Sequence, residues 1–193
     1  MSLTVIFAGV AAILLVSWLY SVYVSVIKAK NKVEEAMASV DVQLKKRYDL
    51  MPNVLFLANK FMEHERSLIE DITKLRTSAL KLEGGVSSAP DKINISNEIQ
   101  KKMGELFVSV ENYPQLKSDN TMVQAMKSYS DVEEHIAAGR RFYNAAVRDL
   151  KNTVQIWPSS SFASTLGIKA DMPYFEVENE AERAPINAQN YFN

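Results

Sequence analysis

The most distinctive pattern in the chain is an uninterrupted apolar run near its N-terminal end. From Leu3 to Ile27 no side chain is charged. A helix needs about 20 apolar residues to cross a hydrocarbon core of about 30 Å, so this run is long enough to span a membrane. Aromatic side chains favour the membrane–water interface, and three of them lie near the C-terminal end of the run: Trp18, Tyr20 and Tyr23. We therefore predict a single transmembrane anchor over residues 1–30.

A cleavable signal peptide is the alternative interpretation of the same run. It is disfavoured because no Lys or Arg precedes the run. It is also disfavoured because the apolar part of a signal peptide is only about 7–15 residues long. We therefore expect the segment to be retained as an anchor.

The distribution of basic residues predicts which side of the membrane the rest of the chain occupies. Only the terminal amine is positive before the run, whereas a basic group follows it: Lys28, Lys30, Lys32, Lys45, Lys46 and Arg47. Positive residues near a span favour the cytoplasmic side, which predicts a cytoplasmic body. Acidic residues in the same stretch dilute this signal, so the extracytoplasmic side stays open as the alternative: Glu34, Glu35 and Asp41.

After the anchor, apolar residues recur every three or four positions, which is the spacing of one buried helix face. Four such stripes are present, over residues 33–48, 54–82, 95–110 and 122–154. The first continues the anchor helix, and the scarcity of breakers, with six Gly and six Pro, favours long helices. We predict an antiparallel four-helix bundle over residues 31–175. Small Gly139 and Ala146 on the fourth stripe should let a neighbouring helix approach closely.

Turn-forming residues predict where these helices begin and end. Asp49 is a suitable helix cap and Pro52 suits a first turn, so we expect the chain to bend there. The Gly- and Ser-rich segment from Gly84 to Pro90 predicts a loop. A proline disfavours a helical residue before it, so Pro114 predicts the end of the third helix.

Beyond Pro158 the helical spacing stops and a different organisation is expected. We predict an irregular strap whose apolar residues lie in grooves of the bundle: Phe162, Leu166, Ile168, Tyr174 and Phe175. Residues 176–193 are polar, which predicts a disordered tail. The fold class predicted is therefore all-α, with an N-terminal transmembrane helix, an antiparallel long-helix bundle and an irregular C-terminal strap.

Composition and charge narrow the possible chemistry. The 22 basic and 23 acidic side chains nearly cancel, so no basic field exists to bind a nucleic acid. The chain has no cysteine, which excludes disulfides, thiolate catalysis and thiolate metal ligands. We therefore expect no nucleic-acid partner.

Polar residues beside the stripes form the candidate site. The set is Asp41, Arg47, Asp49, Glu133, Arg140, Asn144 and Arg148. The favoured interpretation is an interhelical network of Arg and carboxylate groups, which stabilises a fold only when every member is paired. The alternative is a binding site for an anion or a peptide carboxylate, because the planar guanidinium suits both.

Metal and catalytic sites were tested against the spacings they require. A di-iron bundle needs Glu-x-x-His pairs, but Phe61 and Val132 precede His64 and His135 by three residues. The chain also lacks a GxSxG nucleophile motif and kinase motifs, and Gly84-Gly85 lacks the lysine of a phosphate-binding loop. We therefore predict no metal site, no cofactor and no enzymatic activity.

Several segments are more specific than generic helix. They are SVDVQLKKRYDLMPN at 39–53, YPQLK at 113–117, RRFYNAAVRDLKNTVQIWP at 140–158 and PYFE at 173–176. Together with the anchor they resemble the LemA family of bacterial membrane proteins over nearly the whole chain.

The resemblance implies a location and a fold more directly than a function. It implies a single-pass protein of the bacterial cytoplasmic (inner) membrane, without established enzymatic activity. One branch of the family is connected with magnetosome membranes and others are encoded near membrane proteases. These associations lead us to expect a membrane or envelope protein as partner, a membrane protease being one candidate. The function expected is an interaction or scaffolding module, with a ligand-binding protein or enzyme, or a homo-oligomeric membrane-shaping scaffold, as alternatives.

Overall fold

A computed structural model describes residues 3–175 of the chain. Within that range the chain is all-α, with no strand, as predicted. The helices are α1 (Leu3–Phe61), α2 (Arg66–Leu80), α3 (Ala89–Val110), α4 (Pro114–Lys117), α5 (Asn120–Gln155) and α6 (Ser159–Thr165), with a 3₁₀ turn at Val86–Ser88 before α3. Residues 176–193, for which a disordered tail was predicted, lie outside the described part.

Helix α1 joins the anchor to the bundle without a break. Its 59 residues correspond to a length of about 90 Å at 1.5 Å per residue. Its first part is exposed on nearly all sides, whereas the part from Val33 onward contributes a buried stripe. Among the described residues this is the one helix long and apolar enough to cross a membrane.

The predicted bend at Asp49–Pro52 is wrong, because α1 continues through Pro52 and turns only after Phe61. A proline has no N–H, so the carbonyl of Tyr48 one turn earlier lacks its helical donor. The Arg76 side chain of α2 supplies a replacement, with Nε donating to the Tyr48 oxygen at 2.7 Å. Asp49 does not cap a helix and instead accepts a hydrogen bond from Lys45, one turn earlier, at 2.9 Å.

Helices α1 and α5 form the long antiparallel pair of the bundle. The two helices run in opposite directions, because residues later in α1 contact residues earlier in α5. Four contacts between α1 and α5 or the residues just after it show this: Trp18 with Trp157, Lys32 with Asp149, Val40 with Gly139, and Arg47 with Glu133. A Cβ atom placed on Gly139 would lie 3.2 Å from Cγ2 of Val40. The absence of a side chain at Gly139 therefore allows the close approach that the sequence predicted.

Helices α2 and α3 complete the bundle. Helix α2 runs back along α1, and Asp71 of α2 binds Lys102 of α3 at 3.1 Å. Helix α3 then runs parallel to α1, since Lys92 contacts Asp41 and Ser96 contacts Arg47. The apolar core draws on the stripes of all four long helices, including Val40, Ile72, Met103 and Ile136.

The C-terminal strap is more regular than predicted, because Ser159–Thr165 form α6. Pro158 precedes this helix, and a helix start is where the missing N–H of proline costs least. The strap ends against the bundle at Phe175, which is buried. The prediction that Leu166 lies in a groove is wrong, since this side chain is exposed. The predicted loop at 84–90 is also shorter, because α3 already begins at Ala89.

Candidate functional site

The centre of the bundle contains a fully buried arginine. Arg47 lies on the inner stripe of α1 beside Tyr48 and has no exposed surface. Its Nη1 donates to Oε1 of Glu133 on α5 at 3.1 Å, and its Nη2 donates to Oγ of Ser96 on α3 at 2.9 Å. Burial is the largest single influence and lowers the pKa of Arg47, but the Glu133 carboxylate together with Tyr129 and Tyr48 outweighs it, so the pKa of Arg47 is raised. Arg47 therefore remains a cation inside the fold and links three helices.

A second arginine shares the same serine. Arg140 of α5 donates from Nη2 to Oγ of Ser96 at 2.7 Å and from Nη1 to Oε1 of Gln100 at 3.1 Å. Its guanidinium carbon lies 5.3 Å from the centre of the Phe175 ring, in the geometry of a cation–π contact. Burial, and then the nearby charge of Arg47, lower the pKa of Arg140. The serine hydroxyl thus bridges two guanidinium groups.

The charges of this cluster do not cancel. Arg47 and Arg140 face one carboxylate, that of Glu133. The Nε atoms of both arginines are buried and have no hydrogen-bond partner among the described residues. Burial raises the pKa of the Tyr129 phenol, so this group is neutral. The arrangement can hold three helices in register, and its excess positive charge suits an anion.

The remaining residues of the predicted set lie elsewhere. Asp41 accepts hydrogen bonds from Lys92 Nζ at 2.6 Å and from the Gly85 backbone at 2.9 Å, which ties the α2–α3 loop to α1. Asn144 binds the strap, and Asp49 lies on the surface. Arg148 is exposed, with its nearest acidic group, Asp149, 4.0 Å away. Three of the seven predicted residues therefore meet in one cluster: Arg47, Glu133 and Arg140.

Ser96, Gln100 and Lys92 take part in these contacts, and sequence reasoning missed all three. The sequence predicts that the buried stripe of the third helix begins at Ile95. In the structure the buried face of α3 begins earlier and runs through Lys92, Ser96, Ile99 and Met103. The polar residues at the start of that face could have indicated a buried polar contact. A search for apolar stripes overlooks such positions because it treats every polar residue as exposed.

The described part of the chain offers a small cleft and two exposed histidines as further candidates for a binding site. A cleft of about 150 Å³ lies beside Asp41, Tyr48 and Glu83, which is smaller than the roughly 300 Å³ at the low end for ligand pockets. Within residues 3–175 no group of three or more His, Asp or Glu side chains is placed to bind a metal ion. His64 and His135 are both exposed.

An apolar helix of membrane-spanning length that continues into a helical bundle defines the class of the chain, a membrane-associated helical-bundle protein. The chain belongs to the LemA family, whose sequence pattern matches residues 36–189. Within the described part the match covers residues 36–175, including the buried arginine cluster and the strap. The protein is thus a membrane-associated member of that family.

The chain is also similar to proteins of magnetic bacteria. It is 30% identical over 112 residues to the magnetosome proteins MamQ 1 and MamQ 2 of Paramagnetospirillum magneticum, which covers 58% of this chain and 40% of each relative. It is 32% identical over 90 residues to the magnetosome protein MamQ of Magnetospirillum gryphiswaldense, covering 47% of this chain and 32% of that one. The matched region thus spans two fifths of these relatives or less.

Proposed function

We propose that this protein is a non-catalytic interaction module that holds a rigid helical bundle at the bacterial cytoplasmic membrane. The observation that carries the proposal is the continuity of α1 from the apolar run to the far end of the bundle. A bundle built on such a helix stands at a fixed height above the bilayer. The cationic cluster around Arg47 supports the same view, since it links α1, α3 and α5 inside the fold.

The end of the bundle far from the anchor offers a surface for a protein partner. Three large apolar side chains are exposed there: Phe56 of α1, Val108 of α3 and Val123 of α5. Exposed aromatic and aliphatic residues are typical anchors of protein interfaces. The expected partner is a membrane or envelope protein, a membrane protease being one candidate. The similarity to magnetosome proteins supports a role at a membrane.

Photocrosslinking in cells tests this proposal. A photoreactive phenylalanine analogue at Phe56 should capture a discrete protein, whereas the same analogue at exposed Glu98, midway along α3, should not. The Phe56→Ser variant should reproduce whatever phenotype follows deletion of the protein, without lowering the melting temperature of the bundle. Capture of a second copy of the chain would instead identify the homo-oligomeric scaffold. Failure to capture any protein at Phe56, in a cell that shows the phenotype, would refute the interaction module.

The cytoplasmic placement of the bundle is part of the proposal and needs its own test. The chain has no cysteine, so single Ser2→Cys and Ser87→Cys variants report one position each. A membrane-impermeant thiol reagent applied to intact cells should label only the first variant. Labelling of the second variant would place the bundle on the extracytoplasmic side, and partner searches would move there.

A ligand-binding function is the second candidate, favoured by the excess positive charge shared by Arg47 and Arg140. If the cluster binds an anion, inorganic phosphate or acetate should raise the melting temperature of the full chain, and Arg140→Met should abolish that rise. A purely structural cluster should show equal melting temperatures with and without either anion. Arg140→Met would then lower the melting temperature by the same amount in every buffer.

A further inference from the structure

The corner between α5 and α6 lies beside the membrane-spanning helix. The ring centres of Trp157 and Trp18 are 6.3 Å apart, with the ring planes tilted by 49°. Trp18 lies well inside the run from Leu3 to Ile27 that has no charged side chain. The bundle therefore does not begin where the apolar run ends but reaches back alongside it, by about 14 Å at 1.5 Å per residue.

The level of Trp18 corresponds to a bilayer border. A span of about 20 residues counted from Leu3 ends among Trp18, Tyr20 and Tyr23, and these are the residue types that favour the interface. Because Trp157 contacts Trp18, it lies at the same level. A side chain there meets lipid headgroups unless another protein covers it.

The chemistry of the corner suits that environment. Ile156 is 61% exposed, Trp157 is 73% exposed, and Leu166 at the end of α6 is also exposed. No charged side chain occurs between Lys151 and Lys169. Large exposed apolar side chains in a soluble protein leave unfavourable surface in contact with water. Transfer of Ile156 and Trp157 into the headgroup region removes that cost.

Several polar groups of the same corner have hydrogen-bond partners within the chain itself. The Ser159 hydroxyl donates to the Ile156 carbonyl at 2.9 Å, and the Thr165 hydroxyl donates to the Ser161 carbonyl at 2.9 Å. The backbone N–H of Ser160 donates to the Ile156 carbonyl at 2.9 Å, and Pro158 has no N–H to satisfy. Polar groups that already have partners lower the cost of entering a poorly hydrated region.

We propose that Ile156, Trp157 and Leu166 insert into the headgroup region of the bilayer beside the span, as a second membrane contact. Buried Ala163 and the packing of α6 on α1 and α5 hold this corner in place. Together with the anchor, the contact couples the tilt of the bundle to the position of the bilayer surface. The inference rests on the anchor of the proposed function, and it assigns the lipid bilayer, not a protein, as the occupant of this surface.

Fluorescence of single tryptophans tests the proposal, because the chain has only Trp18 and Trp157. The Trp18→Phe variant, reconstituted in phosphatidylcholine and phosphatidylglycerol vesicles, leaves Trp157 as the reporter. Brominated lipids should quench its emission several-fold more than aqueous acrylamide does. The matched control is Trp18→Phe/Trp157→Phe/Phe56→Trp, since Phe56 is 71% exposed at the far end of α1. Its emission should respond to acrylamide and not to the brominated lipids.

Two outcomes would overturn the inference. Free quenching of Trp157 by acrylamide, with none by brominated lipid, would show a water-exposed corner and refute the contact. Protection from both quenchers that grows with the protein-to-lipid ratio would identify a second copy as the occupant and also refute it. Resistance to alkaline carbonate extraction tests the anchor separately. If Trp18→Phe does not fold, the emission of Trp157 can be obtained by subtracting the spectrum of the Trp157→Phe variant from that of the natural chain.

Discussion

The side chain of Arg76 replaces the hydrogen bond that Pro52 removes from the Tyr48 carbonyl. The Nε–O distance is 2.7 Å, and this contact joins α2 to α1 at the one proline inside the long helix. A polar side chain of a neighbouring helix thus allows α1 to continue where local rules would end it. The hydrogen bond from Arg76 to Tyr48 therefore supports the continuation of α1 through Pro52.

The first prediction follows from this pair. Arg76→Met should lower the free energy of unfolding by about 1–3 kcal/mol, because it leaves a buried carbonyl without a donor. In a Pro52→Ala background the same change should cost much less, since residue 52 then supplies the N–H. Chemical denaturation of the four proteins in mild detergent measures the difference. Equal costs in both backgrounds would show that the Tyr48 carbonyl does not depend on Arg76.

The second prediction concerns the asymmetry of the central ion pair. Glu133→Gln leaves the fully buried Arg47 without its carboxylate and should destabilise the fold by about 3 kcal/mol. Arg47→Met leaves Glu133, whose side chain is 22% exposed and can be hydrated, so a smaller loss of about 1–2 kcal/mol is expected. The measurement is the midpoint of denaturant unfolding for each variant. A larger loss of stability for Arg47→Met than for Glu133→Gln would mean that Glu133, and not Arg47, is the residue that depends on the pair.

The third prediction tests the close approach at Gly139. Gly139→Leu should destabilise by about 1–3 kcal/mol through overpacking against α1, and Val40→Ala should recover part of that loss. Gly104 in α3 is the control, because a Cβ there meets nothing within 4 Å. Gly104→Ala should stabilise by up to about 1 kcal/mol through helix propensity. Melting temperatures of the variants separate the two effects. A Gly139→Leu protein as stable as the natural chain would disprove the tight contact.

The fourth prediction concerns attachment of the strap. Asn144 donates from Nδ2 to the Phe175 carbonyl at 2.8 Å and accepts from the Phe175 N–H at 2.9 Å. Asn144→Ala should therefore make detachment of the strap easier by about 2 kcal/mol. Limited proteolysis followed by mass spectrometry should then show faster cleavage near residues 168–175. The control is Asn152→Ala, at an exposed asparagine of the same helix, which should leave the cleavage rate unaltered.

The sequence predicted the architecture well because the stripes and the apolar run depend on periodicity alone. The bend at Pro52 was predicted wrongly because its outcome depends on Arg76, which lies in another helix and cannot be paired with Tyr48 from spacing. The cluster was predicted in part. Arg47, Glu133 and Arg140 could be selected by residue type, but Ser96 could not, because which face of α3 is buried depends on how the helices pack.

The continuous helix α1 also makes the protein sensitive to the thickness of its membrane. Spans adjust to a bilayer of different thickness by changing their tilt, and a tilt of about 20° from the bilayer normal is average. The part of α1 beyond the interface is some tens of ångströms long, so such a tilt would move its far end sideways by about 20 Å. A change in lipid composition would thereby displace the surface around Phe56, with no ligand or chemical reaction involved.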